Sequence, residues 1–366
     1  IRSNMTYDTF SGTNRVAAYT EQGNAAGTIY SKTWQADSYN AAGQLTGQRE
    51  QGYDSSRGSY ASVRSGMTYD GFGRLATFSE QLTNAAGGVS RAERRSTGYD
   101  AWGRLNSYDQ TITAADGGRT DISRSAIAYN EYAQVLSYDE LETVYLADDK
   151  CQFSQVHWQA GENGYSENGL NDSYTQTRVI TDSLESSSFS LTSTLTWQAG
   201  GRNDLWQLTS FSQSVHTAGT PGSTLPDDAG LDDALLQIWQ AAAAADEIDS
   251  TTQLVRSDIT YDARGQLNSY NEHSRTHGVD EETDTQWTAL GYDEQGQLSG
   301  YRQTTALPYE TRVIVRNNIV YDSTSRMASW REREENGRFI TETAMSCVMY
   351  DGAGRMTGYT RDSRRF

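Results

Sequence analysis

The stretch VRSDITYDARGQLNSY, Val255 to Tyr270, decides the fold. Its opening alternates. Val255, Ser257, Ile259 and Tyr261 fall on one side and Arg256, Asp258 and Thr260 on the other, the period of two of a half-buried strand. Asp262-Ala263-Arg264-Gly265 then puts Asp at the first and Gly at the fourth position of a turn, where Gly takes positive φ without a steric cost. Gln266 to Tyr270 resumes an extended run. The expected unit is one β-hairpin with its turn at Tyr-Asp-x-x-Gly.

Working outward, the unit recurs. Tyr39, Tyr69, Tyr99 and Tyr129 stand 30 residues apart, and Tyr261, Tyr292, Tyr321 and Tyr350 follow at intervals of 29 to 31. A further copy at Tyr7 carries two extra residues before Arg15 and Val16. Spacing this regular marks an array of supersecondary units. The upstream phrase repeats too, as IRSNMTYD from Ile1, VRSGMTYD from Val63 and VRNNIVYD from Val315. The turn motif is carried by Asp70 and Gly73, Asp100 and Gly103, Asp262 and Gly265, Asp293 and Gly296, and Asp351 and Gly354. The repeat core is assigned to Tyr69, Leu75, Tyr99, Leu105, Tyr261, Leu267, Tyr292, Leu298, Tyr321 and Tyr350. Stretches such as Gln81 to Val89 and Thr113 to Thr120, rich in Gly, Ala, Asn and Asp, read as return turns between hairpins.

A lone hairpin cannot bury its apolar face, so successive hairpins pair side by side. The expected fold class is therefore all-β, with tandem hairpin repeats of about 30 residues in one continuous coiled antiparallel sheet, solenoid-like or spiral-like, plus one inserted α-helix. Residues 1–150 hold regular repeats and 151–215 degenerate ones, in which Trp158 and Trp197 stand in place of the Tyr. Residues 216–250 hold a loop and the helix, and 251–366 return to regular repeats. The helix is expected over 231–247, begun by Asp232 and Asp233, driven by Ala241 to Ala245 and packed through Leu231, Leu235, Ile238 and Ala242.

Composition narrows the function. The net charge of −18 argues against a nucleic-acid backbone or an acidic partner. No run of about eighteen apolar residues exists, so no membrane span is expected. Lys32 and Lys150 are the only lysines; nearly all positive charge is Arg, whose planar fork bridges carboxylates and stacks on Tyr rings, so cross-strand Arg, Tyr and Asp pairing is expected. Position one is Ile, as in a processed chain or an internal segment. Cys151 and Cys347 leave two readings open, a pair of buried thiols or one bridge.

The phrases YDGFGRL (Tyr69 to Leu75), YDAWGRL (Tyr99 to Leu105), YDARGQL (Tyr261 to Leu267) and YDGAGRM (Tyr350 to Met356) resemble the YD repeats of the Rhs and teneurin families. That resemblance covers most of the chain. It implies a secreted or cell-surface protein whose hairpins wind into a β-sheet spiral, in some families a hollow cocoon around a toxin, and it implies contact with surface glycans. The unit here is longer than the usual Rhs repeat, and the C-terminus lacks the Rhs core segment. The expected function is an extracellular structural or adhesive protein, a fibre subunit or a segment of a giant surface protein, with head-to-tail self-association through open sheet edges. The alternatives are an encapsulating shell scaffold and a glycan-binding module, which would need aromatic rings displayed outward.

Site-forming patterns are sparse. No GxSxG elbow, glycine-rich loop followed by Lys, or HExxH occurs, and no enzyme is expected. His273 and His277 have a spacing that could hold a metal but read as loop histidines. No cofactor is expected; Ca²⁺ would collect at the acidic loops of Asp227 and Asp228 or of Asp280 and Asp284, though neither has the ligand spacing of a calcium loop. The repeated Asp accepts backbone N–H groups of its own turn, and the Tyr series packs the core or, failing that, forms a sugar-stacking ladder.

Overall fold

The computed structural model describes residues 2–8, 15–25, 28–54, 58–85, 87–145, 151–181, 190–220, 248–277, 281–322, 326–337, 339–350 and 356–366. These form strands β1 (Arg2–Asp8), β2 (Arg15–Ala25), β3 (Thr28–Tyr39), β4 (Leu45–Asp54), β5 (Gly58–Tyr69), β6 (Leu75–Thr83), β7 (Val89–Tyr99) and β8 (Leu105–Thr113). They continue with β9 (Arg119–Tyr129), β10 (Val135–Tyr145), β11 (Cys151–Ala160), β12 (Ser173–Thr181), β13 (Ser190–Arg202), β14 (Leu208–Thr220) and β15 (Ile248–Tyr261). The last are β16 (Leu267–His277), β17 (Glu281–Tyr292), β18 (Leu298–Ala306), β19 (Thr311–Tyr321), β20 (Met327–Asn336), β21 (Phe339–Tyr350) and β22 (Met356–Arg365).

Each strand pairs antiparallel with the next in sequence, so the described residues form a single 22-stranded meander. No pairing joins β1 to β22 among the described residues, and the sheet is open rather than a barrel. Few side chains are fully buried; the apolar ones among the described residues are Met67, Ile127, Val156, Ile180, Leu191, Ile259 and Ile319. A one-layer sheet has this signature, because a second packed layer would hide one face of every strand.

The expected inserted helix is corrected. Among the described residues every regular element is a strand, and β14 pairs directly with β15 from Phe211↔Arg256 to Gly219↔Ile248. The sheet therefore crosses this point without a helical element between its strands. Residues 231–247, on which the helix was expected, lie outside the described residues.

A second correction concerns strand phase. Asp258 has φ of 52°, and the β15–β16 register slips between Ser257 and Thr260, so β15 carries an extra, bulged residue there. Alternation resets at the bulge, which puts Arg256 instead of Ser257 on the face of Ile259 and Tyr261. Val255, expected on that face, is 45% exposed while Ile259 is 6% exposed. The same left-handed residue stands three places before the Tyr at Asn4, Gly66, Ala126, Asn318 and Cys347, each beside a register slip.

Candidate functional site

Three devices recur along the sheet, and together they are what this sequence builds. The first is the turn. The Asp70 main-chain N–H donates to the Arg74 carbonyl at 2.9 Å and the Gly73 N–H to the Asp70 carbonyl at 3.0 Å. Asp70 Oδ1 accepts the N–H groups of Phe72 and Arg74, and Oδ2 accepts Arg74 Nε at 2.7 Å. Asp100 with Trp102 and Arg104 repeats every contact. These bonds to the charged form hold both carboxyls below the usual range; at Asp70 the Arg74 N–H contributes most, and at Asp100 burial opposes the shift but is outweighed by the N–H groups and guanidinium of the turn. Asp262 and Asp293 accept the same pair of N–H groups, and Gly265 and Gly296 take φ of 82° and 84°. Ala133 and Trp206 occupy this left-handed position in two other turns. The return turns at Asn84–Gly88 and Ala114–Gly118 close with the same backbone pattern.

The second device joins one hairpin to the one before it. Tyr69 Oη donates to the Leu45 carbonyl at 2.6 Å, Tyr99 to Leu75 at 2.7 Å, and Tyr129 to Leu105 at 2.6 Å. Tyr261 reaches Leu208, Tyr292 reaches Leu267, Tyr321 reaches Leu298 and Tyr350 reaches Met327. Backbone pairing between hairpins stops short of these Tyr residues, as at Phe78↔Arg94 between β6 and β7. The phenol thus satisfies a carbonyl that the ladder leaves unpaired. Partial burial raises Tyr69, Tyr129, Tyr261, Tyr292 and Tyr321 above the ordinary phenol value.

The third device is a band of Arg and aromatic side chains that crosses the sheet. The Arg94 guanidinium lies 5.5 Å from the Phe78 ring and 4.0 Å from Tyr108, and Arg124 lies 5.5 Å from Tyr108 and 4.1 Å from Tyr138. Ring pairs then carry the band through Tyr138, Trp158, Tyr174, Trp197 and Phe211, with centroids 5.5, 5.8, 5.6 and 6.2 Å apart. Arg256 bridges Phe211 to Tyr270, Trp287 and Tyr301 follow, and Arg316 bridges Tyr301 to Trp330. Each contact contributes about 0.5–1 kcal/mol. Opposite these arginines sit carboxylates, with Arg64 to Glu80 at 2.8 Å and Arg124 to Glu140 at 2.6 Å, and likewise Arg256 with Glu272 and Arg316 with Glu332. Arg94 faces Gln110 instead, and burial holds it below the ordinary guanidinium value.

The expected Arg and Tyr pairing is therefore present, but the acid opposite the band arginines is Glu, while the Asp of the Tyr-Asp phrase serves its own turn. Trp158 and Trp197 take places in the band; the clasp in that region is made by Tyr165, whose hydroxyl donates to the Val135 carbonyl at 2.6 Å. A Tyr outside the Tyr-Asp phrase left no mark in the sequence for that role. His273 Nδ1 lies 2.8 Å from Asp284, so this carboxylate is engaged by a neighbouring strand, and no group of His, Cys, Asp and Glu among the described residues could hold a metal. Asp227, Asp228, Asp280, Asp351 and Gly354 lie outside the described residues. Cys151 and Cys347 are free thiols, the first half-buried and the second exposed.

No protein-family model matches the chain, and no curated protein matches it. Among solved structures, a chain of the Tc holotoxin pore of Photorhabdus luminescens carrying a TccC3 mutation is similar at 13% identity, over 97% of this chain and 22% of that one, with a TM-score of 0.17. This chain spans about a fifth of that protein's length. The match is weak and partial, and a TM-score this low does not establish equivalent structure.

Proposed function

We propose that the chain is a wall segment of an extracellular scaffold of the YD-repeat kind, an encapsulating β-shell rather than a catalyst. The observation that carries the reading is the difference between the two faces of the sheet. One face holds the unbroken Arg and aromatic band with its Glu partners. The other holds short polar pairs, such as Thr68 with Thr77, Ser38 with Thr46 and Thr260 with Ser269. Two unlike faces suit a wall with an inside and an outside.

A filament built by head-to-tail pairing is the second reading, favoured by the openness of the sheet. A strand with one backbone edge free templates another strand unless it is blocked. Electron microscopy of the purified protein over a range of concentrations tests the choice. Curved or hollow particles of constant size are expected. Straight fibres that lengthen with concentration would replace the shell with the filament.

A further inference from the structure

The turn between β13 and β14 keeps a residue that its backbone does not favour. Trp206 stands at the left-handed place with φ of 63°, where Gly265 and Gly296 stand at 82° and 84°. The turn is otherwise like the others: Asn203 Oδ1 accepts the N–H groups of Leu205 and Gln207 at 3.0 Å, and the Trp206 N–H donates to the Asn203 carbonyl at 2.9 Å. Glycine would serve it without the Cβ clash, so a bulky ring held here points to a use outside the fold. The ring is 49% exposed and lines a cleft of about 600 Å³ together with Glu162, Asn163, Asp172, Gln198 and Arg202. Glu162 and Asn163 belong to the connection from β11 to β12, residues 161–172. That connection is braced by the Tyr165 hydroxyl on the Val135 carbonyl and by the Asp172 N–H on the Gly164 carbonyl at 2.8 Å.

The charges in the cleft select its ligand. The Arg202 guanidinium is engaged within the protein, by Asp172 at 3.1 Å and by the carbonyls of Asn171 and Trp206 at 2.9 and 3.0 Å. Glu162 has no ion pair or hydrogen bond, and no ring or guanidinium among the described residues lies against the Trp206 ring. One uncompensated carboxylate and one exposed indole therefore share the cleft, in a chain whose net charge of −18 draws cations. The sheet itself shows what completes such a set. Arg124 lies over Tyr138 and bonds Glu140, Arg256 lies over Tyr270 and bonds Glu272, and Arg316 lies over Trp330 and bonds Glu332. The cleft presents the ring and the glutamate of that set, and an arginine completes it. A guanidinium suits it better than an ammonium, since its plane stacks on indole while its fork donates to a carboxylate. The Asn163 and Gln198 amides, which make no hydrogen bond in the protein, can take the amide groups of a peptide that carries the arginine.

We propose that Trp206 and Glu162 form a binding site for an arginine side chain of a partner peptide. This goes beyond the wall reading and does not depend on it. The test is titration of the full chain with the capped tripeptide acetyl-Gly-Arg-Gly-amide, followed by saturation transfer to the arginine protons in NMR, in about 0.15 M salt so that long-range attraction is screened. Saturable binding is expected, roughly three-fold or more tighter than for the lysine counterpart, which lacks the planar fork. Free arginine is expected to bind more weakly than the tripeptide, because it brings no amide groups to Asn163 and Gln198. Trp206→Gly is expected to raise the midpoint of urea unfolding, as the left-handed strain is relieved, and yet to weaken binding roughly five-fold or more. Glu162→Gln is expected to weaken binding to a similar extent with an unchanged midpoint, and it serves if the Trp206 variant fails to give the parent's circular dichroism. The proposal is overturned if the tripeptide does not bind saturably, if a folded variant binds it as well as the parent, or if the lysine peptide or free arginine binds as tightly. It is also overturned if Trp206→Gly instead loses retention by cellohexaose, which would assign the cleft to a glycan.

Discussion

The Tyr99 hydroxyl donates to the Leu75 carbonyl across 24 residues of sequence, and this one bond ties a hairpin to its predecessor at a point where the backbone ladder has already stopped. Removing the hydroxyl leaves a partly buried carbonyl without its donor. Tyr99→Phe is expected to cost about 1 kcal/mol, the usual net worth of such a bond. Urea unfolding would show a lower midpoint with an unchanged slope; an unchanged midpoint would mean that the phenol only packs.

The same clasp predicts a sensitivity to alkali. Five of these Tyr residues have folded pKa values raised by burial, so the folded state favours the protonated phenol. A raised folded value gives stability that is complete below the unfolded pKa, about 10, and is lost as pH rises through the folded value. Asp70 and Asp100 act in the opposite sense, because their folded values are lowered. Their contribution is present above the ordinary carboxylate pKa and disappears as pH falls through the folded one. Melting temperature should hold across neutral pH and drop on both sides, with the alkaline fall tracking phenolate absorbance. A Tyr69→Phe, Tyr129→Phe, Tyr261→Phe variant should start lower and lose less above pH 10.

Turn glycines divide into the required and the replaced. Gly265 has φ of 82°, and a Cβ there would lie 3.2 Å from Gln207 Nε2, so Gly265→Val should destabilise its hairpin by about 1–2 kcal/mol. Ala133 holds the equivalent place at φ of 61°. Ala133→Gly should raise stability by about 1 kcal/mol, since Gly enters this region without the Cβ clash. Denaturation midpoints moving in opposite directions would establish the turn geometry; parallel shifts would contradict it.

How much of this was legible from sequence follows from where the information is stored. The hairpin and its turn could be read at Val255 to Tyr270 because Asp262 and Gly265 act on their own local backbone. The face of Arg256 could not. It depends on a bulge at Asp258, and the bulge position is filled elsewhere by Asn4, Gly66, Ala126, Asn318 and Cys347, which share a left-handed backbone but no side-chain chemistry. The Tyr series could be read as a ladder, yet its hydrogen-bond acceptor is a main-chain carbonyl, which exists at every residue. Trp158 preserved the 29-residue spacing from Tyr129, but in the structure it pairs with Tyr138 across β10 and β11, since repeat spacing alone does not separate the two aromatic rows.

The Arg and aromatic band yields a sharper test than any single contact. Arg124 stands between Tyr108 and Tyr138 and bonds Glu140, so Arg124→Met keeps an apolar stem against both rings while leaving Glu140 without its cation. Arg124→Met should destabilise by about 1–3 kcal/mol, and Glu140→Gln by less, because Gln110 already fills this role opposite Arg94. The double variant should recover part of the loss, as the uncompensated carboxylate is then gone. If the two effects simply add, the ion pair is a solvated surface contact and the rings alone hold the band.

The last prediction concerns the seam between β14 and β15. Gly219 and Ile248 are paired residues, so the two strand ends already stand one strand spacing apart, about 4.8 Å, whatever lies between them in sequence. A tight turn of a few residues spans such a gap. Replacing residues 221–247 by Asn-Gly flanked by Ser should therefore keep the strand signal in circular dichroism and the cooperativity of unfolding, because the pairs from Phe211↔Arg256 onward and the Arg256 contacts to Phe211 and Tyr270 need nothing from the deleted segment. A shortened loop also lowers the entropy of the unfolded chain, which should raise the melting temperature slightly. Loss of cooperative unfolding in the shortened protein would instead make the deleted residues part of what holds the two halves of the sheet in register.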